Sequence, residues 1–224
     1  VINICNHYRP DLLVLGHNNF LYKNNLEKIK YNFKSKIALW YEDALGHKGR
    51  GPNWRQNLTL IENNNHYIDN YFVTTHPDEI KTIISKKKMN FLPIPVDENI
   101  ENLEIYNSRN RYKDLFFALS HGVNFGDLKK RKTDEREIVI NNLMKKFPKI
   151  NYNFLGIANE KPKWNYDFFD ELLKTKMALN LSRGKPLKYT SSNRIAALIG
   201  NGIYTFIDQK TKVKDFFNEN EVGS

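Results

Sequence analysis

The sequence predicts an α/β protein with parallel sheets arranged in two lobes, and three observations carry that prediction. Short apolar runs alternate with amphipathic stretches along most of the 224 residues, the pattern of strands joined by crossover helices. A polar, Asn- and Glu-rich stretch from Asp97 to Tyr112 interrupts that alternation and marks a boundary between lobes. Near the end, Met177 to Ile207 reads as one complete unit of strand, basic loop, helix and strand. Crossovers of this kind join parallel strands with right-handed geometry.

In chain order, Asp11 to Gly16 (DLLVLG) is a continuous apolar strand closed by glycine, with His17, Asn18 and Asn19 at its carboxyl end. Residues 22 to 33 read as a helix with Leu26, Ile29 and Phe33 on one face. Lys36 to Tyr41 (KIALWY) is the second strand and carries Glu42 and Asp43 at its end. A basic, glycine-rich loop from Gly46 to Pro52 precedes a helix at Trp54 to Glu62. Tyr71 to Thr75 is the third strand, and His76-Pro77-Asp78 is expected to start a helix running to Ser85. Phe91 to Val96 (FLPIPV) is extended, but its two prolines exclude a central ladder position.

The expected lobes are 1–98 and 114–224, with 99–113 as the linker. The second opens with the strand Leu115 to Leu119 and the loop Ser120 to Gly126, followed by a helix over Lys132 to Phe147. Tyr152 to Gly156 is a strand, and residues 167 to 175 form a helix. In the unit that follows, Ser191 or Ser192 caps a helix whose Ile195, Leu198 and Ile199 share one face. Gly200-Asn201-Gly202 ends it, because glycine takes the left-handed conformation at low cost. Val213 to Phe217 starts one more helix.

The content of 40% hydrophobic residues supports a packed core rather than a disordered chain. The formal net charge of +10 favours anionic partners without choosing among them. A single cysteine, Cys5, excludes an intramolecular disulfide and suits a reducing compartment. No apolar run approaches the roughly 18 residues of a membrane span, so a cytoplasmic location is expected. The basic runs Lys86-Lys87-Lys88 and Lys129-Lys130-Arg131-Lys132 read as solvated faces or as a peripheral contact with an anionic membrane. The chain opens on Val1 and stops at Gly223-Ser224 after a charged segment. It is therefore expected to be an excerpt of a longer protein, with an incomplete first lobe and without the last helix of the second.

The chemistry is expected at the carboxyl ends of the strands, where open α/β sheets bind ligands. The helix preceded by Ser191 and Ser192 presents its N–H groups, Asn193 and Arg194, and the loop before it adds Arg183, Lys185 and Lys188. A helix N-terminus with added cations suits a diphosphate. A capped core helix among solvated basic residues fits the same pattern equally well. In the first lobe His17, Glu42, Asp43 and His76 are the polar residues at strand ends, and in the second Ser120, His121, Asn124 and Ser182 join Arg183. Acidic and imidazole groups on one lobe, and cations with hydroxyls on the other, suit a transfer reaction. His17, Glu42 and Asp43 are the candidate bases for it. No Walker-type loop, G-x-G-x-x-G, zinc-ligand spacing or G-x-S-x-G elbow is present.

Three separated segments resemble the CgeB-like, spore-maturation-type glycosyltransferases: FALSHGVNFG (117–126), KPKWNYDFF (161–169) and ALNLSRGKPLKYTSSNRIAALIGNG (178–202). The likeness is dense over residues 114–217 and looser over 11–96. It implies two Rossmann-like lobes of the GT-B type, with a nucleotide-diphosphate sugar donor held mainly by the second. The donor-binding candidates it implies are Ser120, His121, Gly122, Asn124, Arg183, Lys188, Tyr189, Ser191, Ser192, Asn193 and Arg194. It implies no cofactor and no obligatory metal, and a glycan, lipid-linked or protein acceptor. Phe125 stands where the family often has a basic residue and Asn193 where it often has aspartate. These departures motivate a second reading, a binding module of the same fold without catalysis. A nucleic-acid-binding protein ranks last, because the aromatics fall inside strand and helix patterns, and no nucleic-acid partner is expected.

Overall fold

The computed structural model describes residues 1–16, 23–43, 45–46, 54–119, 135–158, 160–182, 184, 186–190 and 192–223. Two compact units emerge: the first takes in Val1–Pro93 with Lys185–Thr190, the second Ile94–Gly184 with Ser191–Ser224. Each is an α/β unit of Rossmann-like type, built on an all-parallel sheet.

The first unit opens with a helix absent from the sequence expectation, α1 (Ile2–Tyr8), then runs through β1 (Leu12–Gly16), α2 (Lys23–Tyr31), β2 (Lys36–Tyr41), α3 (Trp54–Asn63), β3 (Asn70–Val73) and β4 (Met89–Phe91). The strands lie in sequence order, with β1 and β4 at the edges. The central strands behave as their apolar runs require: Ile37, Ala38, Leu39 and Tyr41 of β2 are all buried. β1 departs from a fully buried strand, because at the sheet edge its Leu12 and Val14 are exposed. The core beneath joins Leu26 and Ile29 of α2 to Leu58 and Ile61 of α3.

The helix expected from His76 to Ser85 is a correction. Only a single 3-10 turn forms at Pro77–Glu79, and Ile80 is already extended. Lys86 explains the stop, since its ammonium donates to the carbonyls of Pro77 and Ile80 and takes acceptors a longer helix would use. The proline rule holds for the next stretch, where β4 ends at Phe91 on the sheet edge before Pro93 and Pro95.

The second unit contains β5 (Lys113–Ala118), α4 (Glu135–Lys146), β6 (Tyr152–Leu155), α5 (Asn165–Leu173), β7 (Thr175–Asn180), α6 (Asn193–Gly200), β8 (Tyr204–Ile207) and β9 (Val222–Gly223). Residues 99–113, expected as a linker, pack within this unit. Ile105 is fully buried with Phe116, Leu172 and Leu198, and the Ile105 N–H donates to the Asn201 carbonyl. The segment Val213 to Phe217, expected to start one more helix, makes a 3-10 turn at Val213–Phe216 and leads into β9.

The sheet order is β6-β5-β7-β8-β9. α4 covers one face through Ile140 on Phe117 and Phe154, whereas α5 and α6 cover the other through Leu172 and Leu198 on Phe116 and Ala178. Glycine is required after β6: Gly156 sits at φ 78°, and a Cβ there would collide with the Leu119 carbonyl oxygen. Among the described residues no helix is long and apolar enough to cross a membrane.

Gly156→Ala is expected to cost at least about 2 kcal/mol, the sum of the left-handed penalty and the displaced carbonyl. Urea unfolding followed by circular dichroism measures it, and an unchanged midpoint would contradict the close approach. A second expectation concerns Asp69, which accepts from Lys30 Nζ at 2.5 Å and from the Ile37 N–H at 2.9 Å. Burial pushes its carboxyl up, but those bonds and the charges of Lys30 and Lys36 outweigh burial and hold it below the ordinary value. A depressed folded pKa gives stability that is complete above the unfolded value of about 4 and is lost as pH falls through the folded one. Asp69→Asn should therefore flatten the acid limb of a stability–pH curve, and an unaltered limb would count against this role.

Candidate functional site

The second sheet has one place where neighbouring connections leave in opposite directions. From β5 the chain moves to β6 on one side, whereas from β7 it moves to β8 on the other. At such a switch point the loops beyond the carboxyl ends diverge and leave a crevice, the usual ligand position in doubly wound sheets. Here it lies beyond Ala118 of β5 and Asn180 of β7.

α6 begins at this crevice. Ser192 is its N-cap in extended conformation, but its side chain makes no capping bond, which differs from the serine cap expected. The first turn sends Arg194 across the end of the sheet. Its Nε donates to Asn180 Oδ1 at 3.1 Å, one terminal nitrogen to the Ala118 carbonyl at 2.8 Å and the other to the Leu181 carbonyl at 2.7 Å. The guanidinium lies 5.3 Å from the Phe117 ring centroid, within the range of a favourable cation–π contact. The sequence argument gave Arg194 an anion or open solvent as its partner. In the structure carbonyl oxygens and an amide from both sides of the switch point are among its partners.

Next to this switch point, on the β6 side of Arg194, a cavity of about 510 Å³ opens over the ends of β5 and β6, between α5 and α6, a size suited to a small organic ligand. Ala118, Lys163, Trp164, Phe168, Asn193 and Arg194 are among its lining residues. Phe168 is fixed by an edge contact with buried Phe116, centroids 5.3 Å apart. Trp164 stays 41% exposed, leaving an indole available to a ligand. Lys163 donates to Glu171 Oε1 at 2.9 Å, and Lys174 does the same. Burial pushes the Glu171 carboxyl up, but both lysines outweigh it and hold it below its usual range. The wall is therefore aromatic and amide-bearing, with the Arg194 cation at its floor. It suits a ligand with a flat ring and an anionic group.

Of the donor-binding residues expected from sequence, Asn193 and Arg194 line this cavity and Ser192 precedes them. Ser120, His121, Gly122, Asn124, Arg183 and Ser191 lie outside the described residues, as does His17. Lys188 and Tyr189 belong to the first unit. There Tyr189, at φ 57°, packs against His76 and Phe91 with centroids 5.5 and 5.6 Å away. Lys188 Nζ stands 4.8 Å from the Tyr189 ring centroid.

Glu42 and Asp43 follow β2. The Glu42 carbonyl accepts from Thr74 Oγ1 at 2.7 Å, and Asp43 is exposed. Burial, with Asp43's charge added, pushes the Tyr41 phenol up to about 12, so that group stays neutral at physiological pH. His76 Nδ1 accepts from the Asp78 N–H at 3.3 Å and lies 3.5 Å from Asp78 Oδ2.

Sequence reasoning missed Lys163, Trp164, Phe168 and Asn180. The signal for Asn180 was present, since one amide interrupts the apolar run MALNL and a buried amide needs partners. Among the described residues no group of three or more His, Cys, Asp or Glu side chains could hold a metal ion. No family model matches the chain, and no curated protein matches it.

Removing the Arg194 side chain leaves two carbonyls and the Asn180 amide without their donor. Arg194→Ala should cost about 2–3 kcal/mol, which lowers Tm by roughly 5–10 °C for a chain of this size. Arg194→Lys should recover only part, because an ammonium cannot reproduce the three-pronged geometry. Calorimetry on both variants checks this, and an alanine variant as stable as the wild type would refute the clamp.

Proposed function

We propose that the chain is a glycosyltransferase of the CgeB-like, GT-B type, whose second unit binds a nucleotide-diphosphate sugar in the switch-point cavity. The observation that supports this most is convergence. The three sequence segments that carry the resemblance are far apart in the chain, yet the same cavity draws lining residues from each. Ala118 and Leu119 come from the first, Pro162 to Asn165 and Phe168 from the second, and Asn193, Arg194 and Ala197 from the third.

In this reading the Trp164 and Phe168 rings take the flat base, and Asn193 with the first turn of α6 takes the diphosphate. Arg194 adds positive charge at the floor while holding both loops in place. The anomeric C–O bond to the diphosphate breaks, and a bond from that carbon to an acceptor hydroxyl oxygen forms. The nucleoside diphosphate leaves with the bonding pair, stabilised by α6 and Arg194. The acceptor's proton passes to a base, for which His17, Glu42 and Asp43 are the candidates. The acceptor is a glycan, a lipid-linked saccharide or a protein. The proposed setting is the cytoplasm, with peripheral contact at the inner membrane face. No cofactor is assigned, and metal dependence is left to the assay.

The test is a thermal-shift panel with UDP, GDP, ADP, CDP and their sugar conjugates, with and without Mg²⁺. A ligand at 100 times its Kd should stabilise the protein by about 2.7 kcal/mol. Ala197→Leu, which narrows the cavity while keeping the Arg194 side chain, should abolish the shift, and Trp164→Ala should weaken it about tenfold. Donor hydrolysis or transfer then separates an enzyme from a binding module. If no nucleotide shifts Tm, or if Ala197→Leu responds like the wild type, the assignment fails.

A further inference from the structure

The second unit carries another concave site, at the opposite end of its sheet. The segment leading into β5 and the start of β7 enclose a groove of about 520 Å³, lined by Tyr106, Asn107, Ser108, Arg109, Arg111 and Lys176. The strands are parallel, so this groove sits at their amino ends, away from the switch-point cavity.

The groove is held in shape by the α6–β8 turn. Asn201 is fully buried, and it accepts from the Leu103 N–H through its side chain and from the Ile105 N–H through its carbonyl. The Tyr106 ring passes close to Gly202, where a Cβ would stand 2.5 Å from it. A 3-10 turn at Ile105–Asn107 follows, and the Ser108 N–H closes it onto the Ile105 carbonyl. Ser108 then accepts from Arg111 Nε at 2.9 Å through its own carbonyl. That bond fixes the base of the guanidinium fork.

The charges do not balance locally. Lys176 is paired with Asp114 at 2.8 Å, and Glu104 is tied to the Asn107 amide. Arg109 and the terminal nitrogens of Arg111 have no acidic partner among the described residues. Arg109 and Arg111 line the groove together with Ser108, and no carboxylate is among its described lining residues. Paired arginines at short spacing fit the oxygens of a phosphate dianion, which accepts bidentate bonds from each fork.

We propose that this groove is a second anion site, which takes a phosphate monoester through Arg109 and Arg111. It is independent of the switch-point cavity and of the function assigned to that cavity. The phosphate has two sources with the same chemistry, a soluble ester or a phosphomonoester lipid headgroup.

The experiment is hydrogen–deuterium exchange on the whole chain with two probes. One is inorganic phosphate, and the other is phosphatidylcholine vesicles containing phosphatidic acid. Slowed exchange across residues 104–113 is expected, without a matching change at the start of α6. Titration calorimetry of Arg109→Ala/Arg111→Ala should show affinity for the effective probe reduced at least about tenfold. A charge-matched control at exposed sites outside the basic runs, Lys28→Ala/Lys210→Ala, should stay within about twofold. Protection by inorganic phosphate identifies a soluble ester, and protection by the vesicles alone identifies the headgroup. Absence of protection with either probe overturns the site, as does equal loss of binding in the control.

Discussion

A parallel sheet whose neighbouring strands send their connections in opposite directions must open at the carboxyl ends of those strands, and the opening exposes backbone oxygens. In this protein the Ala118 and Leu181 carbonyls stand on the two sides of that opening. A buried carbonyl left unpaired costs about 1–3 kcal/mol. Arg194 supplies a donor to each, and to Asn180 as well. A guanidinium does not deprotonate in the folding range of pH, so this clamp does not titrate away. It also keeps a full positive charge beside the cavity whether or not a ligand is present. One side chain thus sets both the shape of the crevice and its preference for anions.

Much of the architecture was legible because buried parallel strands write themselves as unbroken apolar runs. KIALWY and LFFAL became β2 and most of β5 with little change in bounds. What stayed hidden depends on contacts far apart in the chain. The polar stretch 99–113 looks like a linker by composition, yet one residue, Ile105, anchors it in the second core. The basic loop 185–190 gives no local sign that Leu187 packs on Gly46 of the first unit, where a Cβ would meet its side chain. His76-Pro77-Asp78 carries the marks of a helix start. The distant Lys86 ammonium decides otherwise, by binding the carbonyls that the helix needs.

The site was legible in position more than in role. Arginine in the first turn of a helix has the same sequence signature whether it binds a ligand or bridges two strand ends. Only the register of β7 against β5, with Met177 opposite Leu115 and Ala178 opposite Phe116, brings Asn180 within reach of that arginine. The aromatic wall was equally indirect. Trp164 and Phe168 read as a family motif, but their part in a cavity depends on Gly156, whose left-handed turn lets the chain pass close over Leu119 before returning to α5.

α6 connects the two anion-suited regions of the second unit. Its first turn carries Arg194 to the carboxyl end of the sheet, and the turn after its last residue carries Asn201 and Gly202 to the segment that shapes the amino-end groove. The helix is only eight residues long, and Ile195, Ala196 and Leu198 are buried along it. Shared support is not coupling, however. A ligand at one end biases the other only if the element between them has two arrangements of similar energy. Leu198 is fully buried among Ile105, Phe116 and Ala178, and a close-packed contact of that kind offers one low-energy arrangement rather than two. The physical consequence is a rigid helix that supports both regions without a second arrangement through which one could bias the other.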